Sequence, residues 1–273
     1  QAVQVLVIDE ADRMFDLGFI RDLRYLMRRI PDPDKRLSML FSATLSLRVT
    51  ELAYEHMNNP RLIKVGAEAI VANNIEESIY FPATEEKIPL LVGLMKDVRP
   101  KRALVFVNTK HAADRVTRYL QANGLDAGVL SGDIPQNKRL AVLKHFQQGG
   151  LPIIVATDVA ARGLHIPNVT HVFNYDLPQD GESYVHRIGR TARAGTRGTA
   201  ISFGCEDYVY SLTDIEDFIG HKIPLQPVAP ALLAETVKPQ GPAPGQARRQ
   251  AARTGRGRGP ARARGAGGRT RRR

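Results

Sequence analysis

The chain has 273 residues, with 39 Lys and Arg against 28 Asp and Glu, a formal net charge of +11 and one cysteine. That length allows one large or two ordinary domains with an ample core, and a lone Cys205 excludes an internal disulfide framework, which fits a reducing cytosol. No apolar stretch approaches the roughly eighteen residues of a membrane span and no signal-peptide pattern opens the chain, so a soluble, cytoplasmic protein is expected.

The first segment, to about Val65, alternates between two periods. An apolar run, Val3 to Ile8, predicts a strand buried on both faces of a parallel sheet, and it is followed at once by Asp9-Glu10-Ala11-Asp12. Ligands of such sheets sit beyond the carboxyl ends of the strands, which aims the tetrad at a crevice; the same acids would also suit the first turn of a helix. A helix is predicted over Leu17 to Arg29, a strand over Leu37 to Phe41 leading into Ser42-Ala43-Thr44, a helix over Ser46 to Met57 and a strand over Arg61 to Val65. Residues 66–74 read as a linker.

The second segment holds a fuller set of alternating units. Strands are predicted near Ser78 to Pro82, Ala103 to Val107, Ala127 to Leu130, Ile153 to Ala156, His171 to Asn174 and Thr199 to Gly204. Helices are predicted near Glu85 to Val98, Lys110 to Asn123, Gln136 to Gln148, Gly181 to Gly189 and Asp207 to Ile219. This pattern is a doubly wound parallel sheet ending near Pro227, with Cys205 as a small buried residue at a strand end.

The charge excess lies in the last stretch. Val228 to Arg273 carries twelve Lys and Arg and one acid, Glu235, whereas residues 1–227 hold 27 basic and 27 acidic side chains. Arg, Gly, Pro, Ala and Gln without an aromatic residue cannot bury enough apolar area to offset ordering entropy, so a disordered tail is expected. Its arginines suit phosphate backbones and hence RNA.

The motifs, in order, are Asp9 to Asp12, Ser42 to Thr44, Leu104 to Lys110 (LVFVNTK), Ser131-Gly132-Asp133 with Gln136 and Arg139, Val155 to Ile166 (VATDVAARGLHI) and His186 to Gly195 (HRIGRTARAG). From Val3 to about Pro227 the chain resembles the DEAD-box RNA helicases, and within them Leu164-His165-Ile166 and His171 to Pro178 resemble a bacterial branch associated with RNA degradation. The resemblance implies an α/β fold of two RecA-like parallel-sheet lobes, the first incomplete, plus the disordered basic tail. The implied domains are 1–65 for the C-terminal part of the ATP-binding lobe, 66–75 for the linker, 76–227 for the second lobe and 228–273 for the tail.

The resemblance also implies ATP and Mg²⁺ as cofactors. Asp9 would hold Mg²⁺ through water and Glu10 would orient and deprotonate the attacking water. Arg190 and Arg193, three apart and so expected on one helical turn, would neutralise charge on the γ-phosphate, with His186 linking phosphate sensing to the tetrad. Asp12, Ser42, Thr44, Asp158 and Gly163 would bind ATP and couple it to lobe closure, while Thr109, Gly132, Arg139 and Thr157 would hold RNA by its backbone without reading sequence. His165 stands where the family usually has an aspartate, which weakens ribose gripping, and Ala192 stands for the usual glycine on what is expected to be helical backbone.

No Gly-Lys pair occurs in these 273 residues, so the phosphate-cradling G-x-x-x-x-G-K-[ST] loop is absent from them. With Gln1 as the first residue, the expectation is an N-terminally truncated helicase, a fragment unable to hydrolyse ATP alone. The alternative is a non-catalytic module that binds RNA and docks on a ribonuclease scaffold.

Overall fold

The computed structural model describes residues 3–16, 18–42, 45–64, 74–132, 134–161, 166, 169–192 and 196–240. The chain divides into two compact units, residues 1–67 and 68–273.

In the first unit, β1 (Val5–Ile8) pairs in parallel with β2 (Leu37–Leu40), register Val5 to Leu37 and Ile8 to Leu40. Three helices accompany them: α1 (Ala11–Asp16), α2 (Ile20–Met27) and α3 (Leu47–His56). The helix expected over 17–29 is α2, shorter at both ends, and α1 precedes it as a helix that was not expected, the two being separated by Gly18 at φ +74°. Ile8, Ala11, Met27, Val49 and Leu52 form the core. Contrary to the expectation of a strand buried on both faces, Val5 and Val7 are about half exposed, since the helices cover only the face that Ile8 presents. The strand expected over 61–65 is not formed at 61–64, where no strand among the described residues offers a ladder; Val65 lies outside the described residues.

In the second unit six parallel strands run in the order β3 (Ile75–Tyr80), β8 (Gly198–Phe203), β7 (His171–Asn174), β4 (Ala103–Phe106), β6 (Ile153–Ala156) and β5 (Ala127–Leu130). β3 begins earlier than expected, at Ile75, inside the anticipated linker, and stops before Pro82, which cannot donate to a ladder. Alternation along β4 divides the core. Ala103 and Val105 face α4 (Lys87–Val98) and α5 (Lys110–Ala122), whereas Leu104 and Phe106 face α6 (Gln136–Gln147) and α7 (Asp158–Ala161). α8 (Gly181–Ile188) and α9 (Leu212–Ile219) pack Tyr184, Ile188, Ile215 and Ile219 beside β8. Residues 209–211, expected to belong to the last helix, form a separate 3₁₀ turn. Cys205 is buried just past β8.

The expectation of a disordered tail from residue 228 is overturned over 228–240. Val228, Leu232, Leu233 and Ala234 pack on the α4/α5 face of the core, and the Ala234 amide donates to the Pro89 carbonyl at 3.2 Å. Apolar side chains, rather than arginines, dominate this stretch, which is why it can pack. Residues 241–273 lie outside the described residues, and no described helix is long and apolar enough to cross a membrane.

Candidate functional site

In the first unit the tetrad and Ser42 are brought together. The Phe41 amide donates to Ile8 at 2.7 Å and the Ala11 amide to Phe41 at 3.1 Å, so the tips of β1 and β2 stay zipped beyond their ladder. The Asp12 amide then donates to Ser42 Oγ at 3.2 Å, with Asp12 itself buried. Asp9 is exposed, and its Oδ1 accepts the Glu10 amide at 2.9 Å. Glu10 takes φ +50°, a left-handed conformation that costs a residue with a Cβ about 1–2 kcal/mol. The tetrad follows the tip of β1, and Asp12 stands in the first turn of α1. Thr44 lies outside the described residues.

In the second unit the chain reverses its winding between β4 and β7, and one side chain fills the crevice there. Arg187, on the last turn of α8, is 1 % exposed. Its Nε and Nη2 donate to the two Asp158 carboxylate oxygens at 2.8 and 2.7 Å, Nη2 also to Asn108 Oδ1 at 2.8 Å, and Nη1 to the Asp176 carbonyl at 2.6 Å. Asp176 in turn accepts Lys87 Nζ at 2.6 Å and the Asn108 amide at 2.9 Å. Lys87 is buried too, over the Tyr175 ring at 4.2 Å and 3.4 Å from Cys205 Sγ. Burial and the adjacent Asp176 push the Tyr175 phenol well above its ordinary range, so it stays neutral. Asp158 therefore spends its carboxylate inside its own unit on Arg187. Sequence reasoning passed over Arg187, Lys87, Asp176 and Asn108; Arg187 sits inside the HRIGRTARAG motif, beside His186, which was the only available signal.

The backbone that carries Arg190 differs from expectation. α8 ends at Ile188 with Gly189 as its cap, and Thr191 forms an isolated bridge with Val169 while its Oγ1 donates to the Val169 carbonyl at 2.7 Å. Ala192 then turns left-handed at φ +53°. Helical backbone does not continue over 190–192, because the chain leaves the helix to pair with residue 169, and Ala192 is not on helical backbone. Arg193, Gly163 and His165 lie outside the described residues. His186 is half-buried on the last turn of α8, and Arg190 directly follows the cap.

The four residues expected to hold RNA sit at one end of the sheet. Thr109, Gly132 and Thr157 follow β4, β5 and β6, whose last residues Phe106, Leu130 and Ala156 are in register. Thr109 Oγ1 caps α5 by accepting the Ala112 amide at 3.0 Å. Lys110 Cε lies 3.3 Å from where a side chain at Gly132 would begin, so the lysine stem rests on that glycine. Thr157 is buried, and Arg139 reaches from α6 to donate to the Ala160 carbonyl, its Nε buried without a partner.

Two family models match the chain: a DEAD/DEAH box helicase model over residues 1–52 and a helicase conserved C-terminal domain model over 86–195. The chain is 56 % identical over 237 residues to the ATP-dependent RNA helicase RhlB of Haemophilus influenzae (strain PittEE), an alignment that takes in 87 % of this chain and 57 % of that protein. It thus spans little more than half the length of such curated relatives. Among solved structures it is similar to the E. coli DEAD-box protein SrmB bound to the regulator of ribonuclease activity A, at 37 % identity and TM-score 0.56 over 62 % of this chain and 100 % of that one. It is also similar to S. cerevisiae Dbp5 bound to RNA and ADP BeF3, at 29 % identity and TM-score 0.75 over 83 % of this chain and 61 % of that one.

Proposed function

This chain belongs to the DEAD-box helicase family, and from that premise we propose that it is part of an ATP-dependent RNA helicase that remodels RNA duplexes in the cytoplasm, in the service of RNA degradation, and that residues 1–273 do not hydrolyse ATP by themselves. The observation that carries the reading is the pairing of the tetrad with Ser42: a buried Asp12 whose amide is held by the serine of the next motif, with Asp9 left exposed at the strand tip. An exposed carboxylate beside few other ligands suits Mg²⁺, a hard cation that keeps most of its waters and, when bound, neutralises phosphate charge. Glu10, the next residue, is the candidate to orient and deprotonate the attacking water.

From the second unit, Arg190 and Arg193 would offset charge on the γ-phosphate, His186 would sense it, and Gly163 and Thr44 would complete the coupling set. Asp158, which pairs with Arg187 and keeps part of its side chain exposed, would bind ATP and couple it to closure. Thr109, Gly132, Arg139 and Thr157 supply hydroxyl, backbone and guanidinium groups for the RNA backbone, and the arginines of 241–273 add sequence-independent affinity.

The test restores a phosphate cradle. Fusing the preceding half of the H. influenzae relative to this chain should give RNA-stimulated ATP hydrolysis that Glu10→Gln abolishes; turnover that survives Glu10→Gln would sink the reading. The absence of any Gly-Lys pair supports a second reading for residues 1–273 by themselves, a non-catalytic module that binds RNA and docks on a ribonuclease scaffold. Negligible ATP turnover by the purified chain, with RNA binding intact, is the outcome expected of it.

A further inference from the structure

The helix that carries His186 and leads to Arg190 lies on an apolar bed. Tyr184 and Ile188 of α8 pack with Ile79 of β3, Ala200 of β8 and Ile215 and Ile219 of α9, and a side chain at Gly181 would strike Phe218, so α8 and α9 approach closely. Contacts of this kind are non-directional: they hold a helix down without fixing its rotation or its slide along the sheet. Directional groups lie beneath it. Register puts Asn174 of β7, Ser202 of β8 and Ile79 of β3 in one row, with Glu77 two residues before Ile79, so all four belong to the face on which α8 packs.

The polar members of this face form one chain of hydrogen bonds. Arg187 Nη1 reaches Asn174 Oδ1 at 3.5 Å, Asn174 Nδ2 donates to Ser202 Oγ at 3.1 Å, the Ser202 hydroxyl bonds the Tyr184 phenol, and Tyr184 Oη donates to Glu77 Oε2 at 2.7 Å. The other Glu77 oxygen meets His221 Nε2 at 2.9 Å, where the chain comes to the surface. Asn174, Ser202 and Tyr184 are 0 % exposed. Burial and the adjacent Glu77 carboxylate push the Tyr184 phenol well above its ordinary range, so it stays a donor. The links all donate in one sense, from Arg187 toward the Glu77 carboxylate, which lets successive bonds strengthen one another. Tyr184 and Arg187 are three apart on the inner face of α8, so the helix is held at two points, to Glu77 and to Asp158. A slide that preserved the apolar contacts would break the chain.

We propose that Glu77, Tyr184, Ser202 and Asn174 are positioning residues for ATP hydrolysis, a buried hydrogen-bond chain that fixes α8 against β3, β8 and β7 and so sets where His186 and Arg190 stand. The inference deepens the ATP-hydrolysing reading above and rests on it. Buried polar chains add little net stability over apolar packing, so what this one contributes is the choice of a single placement for the helix.

RNA-stimulated ATP turnover is measured in the chain fused to the preceding half of the H. influenzae relative. Tyr184→Phe, which removes only the hydroxyl, and Glu77→Leu should each lower kcat by about tenfold, because small misplacements of reacting groups are costly, while the KM for ATP changes by less than about twofold. Glu77→Gln, which still accepts from Tyr184, should restore most of kcat. Glu77 and Asn174 share no hydrogen-bond partner among those described, yet Glu77→Leu with Asn174→Ala should cost no more than the worse single variant, since either one cuts the same chain. Parent-like kcat in Tyr184→Phe, a raised KM at unchanged kcat, or effects that simply add would each overturn the proposal; Tyr184→Phe and Glu77→Gln decide should Glu77→Leu fail to fold. If the fused parent itself does not turn over ATP, the hydrolysis reading falls, and amide exchange in residues 1–273 decides the chain: Gly189 and Arg190 amides should exchange faster in Tyr184→Phe than in the parent, and equal rates would refute it.

Discussion

Arg187 ties four segments of the second unit together through one guanidinium: Asp158 after β6, Asn108 after β4, the Asp176 carbonyl after β7, and its own helix α8. The desolvation cost of such a group is met only while every fork donor is used, and removing it takes the counter-charge from the Asp158 carboxylate and the Arg187 donor from the buried Asp176 carbonyl. Arg187→Met should destabilise this unit by about 3–5 kcal/mol. Arg187→Lys should do little better, since an ammonium cannot serve the Asp158 carboxylate bidentately and reach Asn108 as well. Urea unfolding measures both; a lysine variant as stable as the parent would show that the charge matters and the fork does not.

A second residue gives the protein a pH dependence whose sign is fixed. Burial holds the His171 imidazole below its ordinary 6.5, and His56 in the first unit is lowered for the same leading reason. The unfolded chain therefore binds these protons more readily than the folded one, so stability is full above pH 6.5 and falls as the pH drops through that value. Thermal unfolding at pH 7.5 and 5.5 should show a lower midpoint at 5.5, and His171→Asn should shrink the difference. An unchanged difference would mean that His171 is protonated in the fold.

At the scale of elements, the end of α8 decides where the last motif points. The helix stops at Gly189, Thr191 is pinned to Val169, and the reversal is completed by Ala192 at φ +53°. A Cβ in that region costs about 1–2 kcal/mol, which glycine would not incur. Ala192→Gly should therefore stabilise by about 1 kcal/mol, whereas Ala141→Gly on the exposed side of α6 should cost about the same amount, because helical backbone penalises glycine. A melting point lowered by Ala192→Gly would argue against the left-handed turn.

This turn also shows where sequence reading runs out. β4 to β8 and α4 to α6 were legible within a residue or two, because apolar periodicity is local and Thr109, the cap of α5, lies next to the run it opens. The backbone at Ala192 was not, since its bend is set by Val169, far back in the chain. Partners 29, 79 and 89 residues apart make the Arg187 and Lys87 network, and no local pattern announces them. In the first unit, Val5 and Val7 read as core because composition cannot tell which face of a strand a helix will cover. Asp12 and Ser42 were grouped by the resemblance alone, and they meet because both follow neighbouring parallel strands.

Across the whole molecule, charge and fold are separated along the sequence. Residues 1–227 are balanced at 27 basic and 27 acidic side chains, residues 228–240 add Lys238 and Glu235, and every remaining excess cation is an arginine beyond residue 240. The hydroxyl and backbone groups proposed at the strand tips would bind phosphate with little counterion release, so the salt sensitivity of RNA binding should reside mainly in the arginine segment. Deleting residues 241–273 should weaken binding about equally for all RNA sequences and reduce the salt slope by several units, at roughly 0.7 per single-strand contact. The deletion should leave the melting temperature unchanged, because the stretch that packs on α4 and α5 ends at Gln240. Shuffling the order of residues 241–273 should also leave binding intact, since irregular arginine spacing sets no register with the phosphates. An unaltered salt slope after deletion would remove RNA from this segment and leave it to a protein partner, and a shuffled segment that lost binding would require a specific recognition motif within it.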